Sequence, residues 1–98
     1  MRGYADLVTA DIRLVMLRTL AEDPGYSLNE SVLQEVLAMF GHTISRDRVR
    51  TELRWLEEQG LVAVSEVMNV LVGKLTGRGA DVASGASHVD GVKRPRCH

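Results

Sequence analysis

Cysteine is almost absent. The 98-residue chain has one, Cys97, so an internal disulfide framework is excluded and a reducing compartment fits best. Proline occurs twice, and aromatic side chains make up 4% of the residues, with Tyr4, Tyr26, Phe40 and Trp55 as the whole set. The core must therefore be aliphatic, built from Leu, Val, Ile and Met. No apolar run approaches the roughly 18 residues of a membrane helix. Asp6 and Asp11 interrupt the first segment before it can serve as the apolar stretch of a signal peptide. These absences predict a cytoplasmic protein. The formal net charge is −1, which argues against a strongly basic nucleic-acid coat.

What is present suits one small domain: 45% apolar and 26% charged residues. A chain of this length buries roughly 60% of its unfolded surface, enough for a single core without staples. Charge is unevenly placed. Residues 1–41 hold three basic residues against six acids, residues 42–54 hold four arginines against two acids, and residues 86–98 hold three cations against Asp90. Two local basic zones on a near-neutral chain point to a phosphate partner.

The periodicity predicts a first helix from about Asp6 to Ala21, stopped by Glu22-Asp23-Pro24-Gly25. Leu7, Leu14, Leu17 and Ala21 share one face, and Val8, Ile12, Val15 and Met16 the other. A helix apolar nearly all round is buried on more than one side, either centrally in the domain or against a second subunit. Ser27-Leu28-Asn29-Glu30 reads as a capping box opening a second helix. Its expected core stripe is Val32, Leu33, Val36, Leu37 and Phe40; Glu30, Gln34 and Glu35 lie on its polar side, and Gly41 ends it. After a short turn, Ser45 caps a third helix running to Gln59, with Ile44 stapled on Val49 and with Val49, Leu53 and Leu56 facing inward. Two helices joined by a tight turn form a helix-turn-helix pattern. The runs 61–64 and 70–75 read as a β-hairpin with a medium loop. Thr76 caps a short last helix to about Ala83, and an extended or disordered basic tail is expected over 84–98.

This order is that of a winged helix-turn-helix domain over residues 1–83: mostly α with a small β-hairpin (α+β), a three-helix core, a two-stranded wing and a short C-terminal helix. The stretch Thr51-Glu52-Leu53-Arg54-Trp55-Leu56-Glu57-Glu58-Gln59-Gly60-Leu61-Val62 resembles the passage from recognition helix into wing in bacterial winged-helix regulators. Leu75-Thr76-Gly77-Arg78-Gly79 resembles the Leu-Thr-x-x-Gly that closes their wing. The chain as a whole is similar to a family of small proteins of Mu-like phages and prophages, sometimes labelled ArsR-like. That similarity includes Pro24-Gly25-Tyr26-Ser27-Leu28-Asn29-Glu30, Ser45-Arg46-Asp47-Arg48-Val49-Arg50 and Gly91-Val92-Lys93-Arg94-Pro95-Arg96.

The resemblance implies that the third helix enters a DNA major groove. With Val49, Leu53 and Leu56 inward, Asp47, Thr51, Arg54 and Glu58 face outward, Arg46 and Arg50 lie on one flank and Arg48 on the other. Arginine forks suit guanine edges and phosphates. Lys74 and Arg78 on the wing, and Lys93, Arg94 and Arg96 in the tail, are candidate phosphate contacts. The plainer alternative is a solvated helix face whose arginines pair with Asp47, Glu52, Glu57 and Glu58. Trp55 falls almost opposite the buried stripe, packed on the wing or a helix end, or meeting another protein.

The resemblance favours a homodimer with double-stranded DNA as partner, in the bacterial host cytoplasm, in transcriptional control or phage DNA handling. The alternative is a protein-interaction adaptor that keeps the fold without binding DNA. ArsR-type metal sensors carry a Cys-x-Cys or equivalent cluster, and this chain has none. His42, His88, Cys97 and His98 lack metal-ligand spacing, although Cys97-His98 is an adventitious zinc candidate. There is no Gly-rich phosphate loop and no local nucleophile signature. No enzyme activity, cofactor, membrane contact or small-molecule ligand is expected.

Overall fold

The computed structural model describes residues 3–96, so Cys97 and His98 lie outside the described residues. The element order is α1 (Tyr4–Glu22), β1 (Ser27–Asn29), α2 (Glu30–Met39), α3 (Arg46–Glu58), β2 (Val62–Val67), β3 (Val70–Leu75) and α4 (Gly77–Ser84). The sheet is antiparallel with strand order β1-β3-β2. Helix, helix-turn-helix, hairpin and closing helix together form the winged helix-turn-helix fold, with one strand beyond the expected two.

That strand changes the start of α2. Leu28 pairs with Gly73 and Asn29 with Val72, so Ser27 is extended and caps nothing. Asn29 is the N-cap instead, its Oδ1 accepting from Val32 N at 2.9 Å. Glu30 becomes the first helical residue, and its side chain turns into the protein, where Oε2 accepts from Leu71 N at 2.5 Å. The expected capping box and the solvated Glu30 are both corrected by strand pairing, which a local reading of four residues does not register.

Other local signals hold. Ser45 Oγ accepts from Arg48 N at 3.0 Å, and Thr76 Oγ1 accepts from Gly79 N at 3.0 Å to open α4. The hairpin is tighter than expected: β2 runs on to Val67, and Met68 (φ 51°) and Asn69 (φ 67°) form the two-residue turn. Two left-handed residues in succession match the right-handed twist of the flanking strands. Gly79 sits directly on the Leu61 carbonyl, where a Cβ would collide with backbone. That close approach seats α4 against the base of the wing.

The core is aliphatic, as the composition requires. Ile12, Met16, Leu17, Leu20, Leu33, Leu37, Val49, Leu53, Leu56, Leu61 and Leu71 are fully buried; each contributes about 1.5–3 kcal/mol on burial. α1 packs on α2, α4 and β3, so most of its apolar circumference is covered within the monomer, while Tyr4 and Leu7 stay exposed. In α2 the expected stripe holds for Leu33 and Leu37. Phe40 does not join it: at the C-cap of α2 it is 63% exposed, and Val32 lies at the surface.

The tail also departs from expectation. Val89 and Val92 are buried members of the core, Lys93 N donates to Ala10 O at 3.1 Å, and Arg13 Nη1 donates to Gly91 O at 3.1 Å. The polar composition of residues 84–96 masked two apolar anchors three residues apart, which tie this segment across α1. No described helix is long and apolar enough to cross a membrane.

Candidate nucleic-acid interface

The outer face of α3 follows from its inner one. Val49, Leu53 and Leu56 are fully buried, which leaves Arg50, Thr51 and Arg54 around a shallow depression with Asp47, Glu58, Trp55 and Leu71. Thr51 Oγ1 donates back to Asp47 O at 3.1 Å. Two cations and two acids share this face, so its charge is balanced rather than a positive stripe.

Two buried glutamates organise the arginines. Glu30 lies 3.6 Å from Arg46 Nη1 and 3.4 Å from Arg50 Nε, while Gln34 Oε1 accepts from Arg46 Nε at 2.9 Å. On the opposite flank Glu52 accepts from Arg48 Nε at 2.8 Å and from Arg13 Nε at 2.7 Å. Arg48 Nη2 also donates to Thr9 Oγ1 at 2.6 Å, so Arg48 turns towards α1 and away from the outer face. Arg54 pairs with Glu57 at 3.1 Å on the surface. Each buried carboxylate is compensated by two guanidinia, the condition under which such a charge is tolerated in an interior.

Trp55 is half-buried rather than a free surface ring. The Arg13 guanidinium stacks over it at 3.6 Å from the ring centroid, and Gly91, at φ +97°, closes on it so tightly that a Cβ would lie 2.9 Å from Cζ2. Arg13, Glu52, Trp55 and Gly91 thus lock α1, α3 and the C-terminal segment together. The i,i+4 spacing of Arg48 and Glu52 was visible in the sequence. The role of Arg13, 39 residues from Glu52, had no local signal, and neither did the burial of Glu30.

The remaining candidates are dispersed. Lys74 is exposed on β3, opposite Ser27 and Ala63. Arg78 Nε donates to Gln59 O at 3.1 Å, at the C-terminal end of α3 and remote from the N-terminal half expected to meet DNA. Lys93, Arg94 and Arg96 line a separate groove with α1 and the end of α2, and it shares no residue with the α3 depression. Lys93 Nζ there meets Asp11 Oδ1 at 3.3 Å. Asp11 Oδ2 also accepts from His42 Nε2 at 2.6 Å. Burial pushes the Asp11 carboxyl up, but hydrogen bonds from His42 and Lys93 and their charges outweigh it and hold the group below its ordinary value. Among the described residues no group of three or more His, Cys, Asp and Glu is placed to hold a metal ion.

Comparison with known proteins places this geometry. No protein-family model matches the sequence. The solved structure of a mutant Lactococcus lactis ZitR in apo form superimposes with a TM-score of 0.59 at 28% identity, over 82% of this chain. The chain spans little more than half of that protein, 56%. An uncharacterized protein of Haemophilus influenzae is 47% identical over 77 residues, covering 78% of this chain and 74% of its own length. The uncharacterized protein gp26 of Escherichia phage Mu is 50% identical over 91 residues, covering 93% of this chain and 94% of that protein. With half its residues shared along nearly the full length of both chains, this winged-helix protein belongs to the family of phage Mu gp26.

Proposed function

We propose that the protein binds double-stranded DNA through α3, in transcriptional control or DNA handling of a Mu-like phage or prophage. The observation that carries this reading is the open α3 face, where Arg50, Thr51 and Arg54 are held by a buried inner stripe at the position a helix-turn-helix offers to the major groove. Glu30 engages Arg46 and Arg50 from one side, at 3.4–3.6 Å. A guanidinium has five donors, so this contact leaves most of them for phosphates or guanine edges. Lys74 and Arg78 serve as accessory phosphate contacts, and Arg48 supports α3 from behind. A homodimer fits the reading, with the exposed Tyr4 and Leu7 of α1 as contact residues.

Fluorescence anisotropy with random duplex DNA and with DNA flanking the protein's own gene tests the proposal at low and moderate salt. Binding should weaken with salt, and the Arg50→Ala, Arg54→Ala double variant should flatten the logarithmic salt slope by roughly one per lost phosphate contact. Unchanged binding in that variant removes α3 from the role.

A second reading has its own observation. All four α3 arginines lie within ion-pair distance of a carboxylate, which suits a protein adaptor that keeps the fold without binding DNA. Absence of DNA binding even at low salt decides for it.

A further inference from the structure

A second depression of the molecule lies away from α3. It is a groove of about 670 Å³ between α1, the C-terminal end of α2 and the segment 93–96. Part of its lining is an apolar strip: Leu14 and Val15 from α1, and Met39 and Phe40, which stand 82% and 63% exposed. A methionine and a phenylalanine side by side in water are costly unless something covers them. Lys93, Asp11 and Glu22 also line the groove, Asp11 being paired with Lys93 and His42. Three arginines complete the border, Arg18, Arg94 and Arg96, and none of the three has an ion-pair or hydrogen-bond partner among the described residues.

The contrast with α3 is chemical. There every arginine is matched to a carboxylate; here unpaired guanidinia flank an apolar strip. The groove is also built. Pro95 packs on Gly85, Val92 is buried, and the Lys93–Asp11–His42 contacts tie the segment to α1 and to the turn before α3. Its wall is thus anchored on both sides of Lys93.

We propose that this groove docks an acidic amphipathic helix of a partner protein, its apolar ridge on Val15, Met39 and Phe40 and its carboxylates on Arg18, Arg94 and Arg96. Duplex DNA fits less well, because a phosphate backbone offers nothing apolar to cover Met39 and Phe40. The mode is a helix laid into a groove, with anchors at i, i+3 or i+4 and i+7 and carboxylates meeting arginine forks. This inference does not depend on α3 binding DNA, since the two surfaces share no residue.

The test uses the isotopically labelled full chain and amide chemical shifts. The first probe is a synthetic helical peptide with leucines at that spacing and glutamates elsewhere. The second has the same leucines with lysines, and the third is random duplex DNA. The acidic peptide should shift amides within 11–22, 36–40 and 93–96 and bind at least about tenfold more tightly than the lysine peptide. Phe40→Ser, at an exposed position that leaves the fold intact, and the double variant Arg18→Glu, Arg94→Glu should each weaken it about tenfold. The proposal is overturned if millimolar acidic peptide leaves these amides unmoved, or if the lysine peptide binds equally well. Two further results also overturn it: the same amides moving with DNA, or a concentration-dependent doubling of mass that Phe40→Ser abolishes, which assigns the groove to a second copy. A failure of DNA binding by α3 is read on different amides and leaves the outcome intact.

Discussion

The outer face of α3 and the groove beside α1 carry similar numbers of arginines and treat them in opposite ways. On α3 the guanidinia are held by Glu30, Glu52 and Glu57, and the exposed surface is charge-balanced. In the groove Asp11 is taken up by Lys93 and His42, and Arg18, Arg94 and Arg96 form no ion pair among the described residues, although Glu22 shares the lining beside exposed Met39 and Phe40. A basic zone counted along the sequence is therefore a poor guide to where positive potential emerges. The arginine-rich stretch 42–54 is largely neutralised by burying two glutamates beneath it, while the cations of 93–96 act together with Arg18, which comes from a stretch counted as acidic.

The strongest way to break this contrast is Glu52→Ala. It leaves Arg13 and Arg48 facing each other across an empty site and unseats the stack on Trp55. A loss of about 3–5 kcal/mol is expected from breaking one member of a buried charge set, read by chemical denaturation.

Glu30→Gln sharpens it more selectively. The amide oxygen can still accept from Leu71 N, so a smaller loss of about 1–3 kcal/mol is expected, while Arg46 and Arg50 are released from their counter-charge. Duplex affinity should then rise and the salt slope steepen by roughly one per phosphate newly engaged; a fall in affinity at unchanged helicity shows that Glu30 positions the arginines rather than restraining them.

Asp11→Asn acts on the groove side, loosening His42 and Lys93. Because the carboxyl is held below its usual value, 3.8, its stabilisation is complete above that pH and fades as pH falls through the lower folded-state value. The variant should melt a few degrees below the parent at pH 7, on the order of 4 °C, and the gap should narrow towards pH 3. A gap that persists unchanged in acid rules out the ionic contribution.

Phe40→Ser is the smallest perturbation of the fold, expected within about 0.5 kcal/mol of the parent because the ring is largely in water. Leu37→Ala, one turn earlier and fully buried, should cost about 2–5 kcal/mol. Equal losses for the two place Phe40 in the core after all.

Much of the architecture was legible because its determinants are local. Ser45 and Thr76 cap the helices expected of them, and Val49, Leu53 and Leu56 face inward by helical spacing alone. The misreadings share one cause. β1 is three residues long and exists only by pairing with β3. Phe40 fits a helical stripe, but α2 ends beneath it. Val89 and Val92 look like strays in a polar tail until α1 is placed under them. The arrangement of the candidate site was less legible than the fold: Arg48 turns onto Glu52 and Thr9, Arg78 gives one N–H to Gln59 O, and Lys93, Arg94 and Arg96 gather on a surface apart from α3.

By itself the sequence determined the starts of α3 and α4, the inward face of α3, the aliphatic core and the absence of a disulfide framework, since caps and periodicity act between residues a turn or two apart. Only the tertiary structure decided which arginines are spent on buried glutamates and which remain free. That choice depends on distances between residues 13 and 52, 30 and 50, or 11 and 93, which no local pattern encodes and which packing around a shared core sets.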